Sequence, residues 1–278
     1  MCKLNSEGLE SPDMGKWKNA PVFYVIVQVR YNPILSLGTY LPGIQEHFRK
    51  AGFPDFQKRM NLTFNLSLIP NVSGGTEKAI PTVPLEQAES YIFTSADGSK
   101  SFSLEQNAIS FHVTEYETFE WFSDQFLSGL GFINDLVGLS FCDRIGLRYL
   151  DAVLSKENPL SLYLIPEVLG LSDIQSGTLQ HSFSETAYKT QTATVRSRVI
   201  YRDGLFALPP DLQGITVTLK PQFADFTGKH AIIDGDAFQE TRSDVDNATV
   251  RETLKHLHEE VNVAFNQVVT KYALSQWK

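Results

Sequence analysis

The stretch VFYVIVQVRY (22–31) alternates Phe23, Val25, Val27, Val29 and Tyr31 with Tyr24, Ile26, Gln28 and Arg30. A two-residue period predicts a strand, apolar on one face and turning polar toward the end of the other. After Pro33 the period changes. Leu41, Ile44 and Phe48 fall at helical spacing and predict a short helix over residues 40–52, with Pro42 tolerated in its first turn and Gly52 near its end. NLTFNLSLI (61–69) alternates again, Leu62, Phe64, Leu66 and Leu68 inward, as in an antiparallel strand with one wet face.

Residues 70–88 hold three prolines and Gly74-Gly75 without a period, and read as a long loop. A meander follows: SYIFTS, an Asp97-Gly98 turn, KSFSL, a turn at Gln106-Asn107, and AISFHV. Thr114 and Glu117 match a capping box for a helix striped by Phe119, Phe122, Phe126, Leu130, Ile133 and Val137. It leads into FCDRIGLRYLDAVL (141–154). Beyond that, SLYLIPEVLG (161–170) predicts a short helix, and TATVRSRVIY, GITVTL and HAIIDGDAF predict strands. Val250, Leu254, Leu257, Val261, Phe265, Val268 and Tyr272 mark one stripe of a final long helix. The pattern predicts an α+β protein: two packed halves of mainly antiparallel sheet backed by helices, residues 17–155 and 156–278, after a flexible tail at 1–16.

One predicted strand is unusually charged. In DRIGLRYLD (143–151), alternation puts Cys142, Arg144, Gly146, Arg148 and Leu150 on one face. The two arginines then point the same way about 13 Å apart, and Gly146 between them leaves room for a group to approach. Arg30 holds a similar place in the first strand. If the strands are neighbours, Arg30, Arg144 and Arg148 converge on a surface suited to phosphate or carboxylate. The plainer reading is that they pair with acidic side chains as a structural network. Asp234 and Asp236, i and i+2 around Gly235, also share a face, where two carboxylates can hold Mg²⁺ or Mn²⁺. A salt bridge from these aspartates to the arginine strand accounts for both features without a metal.

Composition narrows the function classes. The chain has 278 residues, 42% of them hydrophobic, enough for a core without cross-links. Its net charge of −8 argues against general nucleic-acid binding. The two cysteines, Cys2 and Cys142, imply no disulfide framework, which fits a cytoplasmic location. No stretch reaches the roughly 18 apolar residues of a membrane span. Gly-x-Ser-x-Gly, phosphate-loop, dinucleotide and His-Glu-x-x-His motifs are absent, so no cofactor is expected and catalysis is not indicated.

NAPVFYVIVQVRYNPI (19–34), RIGLRYLD (144–151) and IIDGDAF (232–238) ahead of LKHLHEEVNVAFNQVVTKYAL together resemble a sporadically distributed bacterial family of uncharacterised proteins of similar length. The resemblance runs from about Trp17 to the C-terminus, and Arg-x-Gly-Leu-Arg-Tyr (144–149) is its most specific element. It implies no substrate. A patchy distribution is consistent with genes that move between bacteria, including anti-phage defence and other mobile-element operons. The expectation is therefore a non-catalytic cytoplasmic recognition or adaptor protein with a protein partner, accessory to such an operon. The alternative is a binder or phosphodiesterase of a small anionic, nucleotide-like ligand.

Overall fold

In the computed structural model, which describes residues 17, 19–64, 85–171, 177–212 and 217–278, the chain forms nine strands and five helices among the described residues. The strands are β1 (Val22–Tyr31), β2 (Asp55–Phe64), β3 (Leu85–Thr94), β4 (Lys100–Glu105), β5 (Ala108–Val113), β6 (Cys142–Leu154), β7 (His181–Lys189), β8 (Thr194–Leu205) and β9 (Thr227–Gln239). They make one antiparallel sheet in the order β2-β3-β4-β5-β1-β6-β9-β8-β7. β1 is the middle strand, as its two-faced β-branched sequence requires. The α+β class holds, and the two halves share this sheet: β6 of the first pairs with β9 of the second over ten residue pairs.

Helices α1 (Leu37–Lys50), α2 (Phe119–Val137) and α4 (Asn247–Val268) cover one face. Ile44, Phe48, Phe122, Phe126, Leu130, Leu254 and Val261 there meet Val25, Val27, Val29, Leu147 and Tyr149 in the main core. α2 lies close on β4, since a Cβ at Gly129 would stand 2.6 Å from the Phe102 ring. The other face carries none of these three helices. At one end it is crossed by the chain after β8, which includes α3 (Pro221–Ala224) and packs Phe206, Leu208, Leu212, Val217 and Phe223 against Phe23, Leu150, Ile200 and Ile232. Farther along, the crossing leaves the face open.

Several expectations change. Two irregularities in the β1–β6 ladder, between Val22 and Tyr24 and between Arg30 and Tyr31, act as bulges. They move Phe23 to the helix-free face and Cys142 to the helix side, each opposite to simple alternation. α2 is capped by Thr118, whose hydroxyl accepts from the Trp121 N–H, not by Thr114. The 161–170 region makes only two short 3₁₀ turns, Leu160–Leu162 and Pro166–Val168, because Pro166 interrupts any longer helix. Val217–Leu219 are irregular, while 214–216, 65–69 and residues 1–16 lie outside the described residues; so do 70–84 of the expected loop, whose last residues, 85–88, are instead part of β3. Tyr272 belongs to a separate α5 (Lys271–Trp277), which starts at a Thr270 cap after α4 ends. β7 was not anticipated, since neither of its faces is apolar enough to show a period. Among the described residues no helix is long and apolar enough to cross a membrane.

Candidate functional site

On the helix-free face, β1 and β6 are neighbours, with Arg30 opposite Arg144 and Gln28 opposite Gly146. β9 places Asp236 opposite both Arg148 and Arg196, and Asp234 opposite Leu150 and Arg198. The result is a polar checkerboard whose charges alternate in sign across β6, β9 and β8, while β1 sets Arg30 beside the like-charged Arg144.

Arg148 is the fixed point. Its Nε and Nη2 donate to Oδ1 and Oδ2 of Asp234, both at 2.7 Å, and Asp234 is fully buried. Its outer edge donates to Asp211, Nη1 to Oδ2 at 2.8 Å and Nη2 to Oδ1 at 3.3 Å. Burial alone pulls the Arg148 pKa down, but the hydrogen bonds and charges of Asp234 and then Asp211 outweigh it and hold the guanidinium protonated. Arg198 reinforces the network through Asp234 at 3.4 Å and Glu185 at 2.5 Å.

Arg144 differs, although it points the same way four residues earlier. Its guanidinium folds back over Gly146 and lies 4.6 Å from the centre of the Phe238 ring, a cation–π contact. It donates to Gln28 Oε1 at 3.3 Å, and its ion pair with Glu240 is long, at 3.9 Å. The room at Gly146 is thus taken by Arg144 itself. Arg30 turns away to Asp143 at 3.4 Å and is 44% exposed, so the three arginines do not converge on one point.

The two aspartates also part company. Asp234 is committed to arginines, the salt-bridge arrangement anticipated as an alternative to metal binding. Among the described residues no group of three or more His, Cys, Asp or Glu is placed to hold a metal ion. Asp236, 15% exposed, accepts no hydrogen bond among the described residues and has only an ion pair to Arg196 at 4.0 Å. Burial raises its carboxyl pKa, opposed by Arg148 and Arg144.

Arg144, Arg148, Asp211 and Asp236 border a groove of about 300 Å³, lined also by Ile26, Gln28, Ser110, His112, Gly146 and Leu212. Its size is at the small end of ligand sites. His112 shares a 2.8 Å hydrogen bond with the Tyr24 hydroxyl, and burial lowers its pKa to about 4, so the ring is neutral near pH 7. Ser110 Oγ accepts from Gln28 Nε2 at 3.2 Å. Sequence reasoning missed Ser110, His112, Asp211 and Phe238. Phe238 sat within IIDGDAF and lacked only a partner to give it meaning, whereas Asp211 lies in a proline-flanked turn with no motif. No protein-family model, curated protein or solved structure matches the chain.

Proposed function

We propose that this is a non-catalytic cytoplasmic recognition protein that binds a small ligand in the groove of its helix-free face, with Arg144 contacting an acceptor or anionic group. The observation that carries this reading is the contrast between two arginines on one strand face. Arg148 is saturated by two carboxylates, while Arg144, equally turned to the groove, has no carboxylate closer than 3.9 Å. A guanidinium seated on an aromatic ring with donors left over is preorganised for a planar acceptor. Among the described residues the groove has no nucleophile paired with a base: Ser110 is held by Gln28, and His112 by Tyr24. The test is to purify the tagged protein from its host, release bound small molecules by denaturation and identify them by mass spectrometry. A stoichiometric compound lost from Arg144→Ala supports the reading, and equal recovery from both proteins overturns it.

A second reading keeps the adaptor role with a protein partner, and one observation favours it. Among the described residues β7 is an edge strand paired only with β8, and it exposes Phe183 and Tyr188. An exposed edge of this kind accepts an added strand. Here a stoichiometric protein would co-purify and be lost from Phe183→Lys/Tyr188→Lys, with Arg144→Ala without effect.

A further inference from the structure

Resting on the ligand-binding reading above, the geometry points to a zwitterionic ligand of the free amino-acid type, its carboxylate on Arg144 and its ammonium on Asp236. Four charged side chains border the groove, Arg144, Arg148, Asp211 and Asp236. Arg148 and Asp211 satisfy each other through two hydrogen bonds, so they leave little charge for a ligand. What remains is Arg144, whose ion pair with Glu240 is long at 3.9 Å, and Asp236, whose ion pair with Arg196 is 4.0 Å. A phosphate or other polyanion placed on Arg144 faces the carboxylate of Asp236, which accepts no hydrogen bond among the described residues, and the neutral His112 adds no second positive charge. A simple cation on Asp236 faces Arg144 in the same way. A molecule carrying both charges meets neither repulsion.

The spacing agrees. Arg144 lies on the ring of Phe238, and Asp236 is two residues before Phe238 on the same face of β9, a backbone step of about 7 Å. Two charge-assisted hydrogen bonds of about 2.8 Å each, joined through a carboxylate and an ammonium on one or two carbons, cover that step. Arg144 keeps donors for a carboxylate beyond its bond to Gln28, and Asp236 accepts no hydrogen bond among the described residues, with only the 4.0 Å ion pair to Arg196. Ile26 and Leu212 give the groove apolar wall for an aliphatic portion of the ligand.

The test is isothermal titration calorimetry of the purified full chain with each of the twenty common L-amino acids, with propionate, and with a nucleoside monophosphate. We expect at least one amino acid to bind, and its N-acetyl and its C-amide derivatives to bind the wild-type protein at least tenfold more weakly. Arg144→Ala and Asp236→Asn are each expected to weaken binding at least tenfold. The derivatives test each charge without relying on a variant that folds. The inference is overturned by binding of no amino acid, or by an amino acid whose N-acetyl derivative binds equally well. It is also overturned if propionate or the nucleotide binds in an Arg144-dependent, Asp236-independent way, and that outcome leaves the ligand-binding reading standing. If no compound recovered from the host depends on Arg144, both fall.

Discussion

The guanidinium of Arg144 occupies the space that a side chain at position 146 would fill: a Cβ built on Gly146 would stand 2.8 Å from Nη1 and 3.2 Å from Cζ of Arg144. The glycine is therefore the seat of the arginine, and the pair acts as one unit on the groove floor. Gly146→Ala should push the guanidinium off Phe238 while leaving Arg148 with Asp234 and Asp211. Because the displaced atoms end a flexible side chain, we expect a stability change under about 1 kcal/mol with at least tenfold weaker ligand binding. Paired denaturation and titration measurements check this, and a variant that binds normally would show that Arg144 needs no such seat.

Arg148 is predicted to be structural. Arg148→Ala leaves Asp234 buried with only the 3.4 Å contact to Arg198, and should cost about 3–5 kcal/mol. Asp211→Ala removes a half-exposed partner and should cost no more than about 1 kcal/mol. Replacing both inner partners by apolar residues, Arg148→Met with Asp234→Leu, should recover much of the loss. Urea unfolding of the four proteins decides it, and equal costs for the Arg148 and Asp211 variants would remove the ranking.

Asp151 predicts a pH dependence. It is buried on the helix side of β6, its Oδ1 lacks a hydrogen-bond partner, and burial raises its pKa to about 8. In the unfolded chain the value is about 3.9. Between these values the folded state binds one proton more, so this group makes stability fall as pH rises, by on the order of 5 kcal/mol across the whole window. Asp151→Asn should flatten that slope and be more stable than wild type at pH 8. Thermal unfolding from pH 5 to 8 is the check, and parallel curves would mean that Asp151 is ionised in the fold.

At Gly129 two effects compete. Alanine improves helix propensity by about 1 kcal/mol, but its Cβ would stand 2.6 and 2.8 Å from two atoms of the Phe102 ring, which is held in the core. Overpacking of that kind costs about 1–3 kcal/mol, so Gly129→Ala should be net destabilising. A midpoint above wild type in chemical denaturation would show that α2 can lift from β4 at little cost.

The fold was legible where burial imposes a period. β1 and β6 announce themselves because each has an apolar face against the helices, and α2 and α4 because their stripes are unbroken. β7 was invisible because an edge strand with Phe183 and Tyr188 exposed needs no apolar alternation. The bulges at Phe23 and at Asp143 were invisible for another reason: they are set by how β1 and β6 pair, which no single segment encodes. For the site, Arg30, Arg144, Arg148, Asp234 and Asp236 were all picked out as charges on strands. Their separate roles depend on diagonal neighbours across β9 and on Asp211 from a distant turn. Local sequence gives Arg144 and Arg148 nearly the same description, and only tertiary pairing holds one on two carboxylates and the other on an aromatic ring with, among the described residues, a single side-chain hydrogen bond.

The position of β6 between β1 and β9 bears on how the chain is made. Ribosomal synthesis delivers β1 to β6 well before β9, so a first half that assembles early has β6 as its outer edge. On that nascent edge Asp143, Arg144, Arg148 and Asp151 stand in water as charges of both signs, which discourages pairing with another copy. When β9 arrives, Asp234 meets Arg148 and Asp151 is enclosed. Charges of both signs on an outer strand disfavour its pairing with another copy, so the residues that mark β6 as odd in the finished protein suit it to stand as an edge until β9 is made.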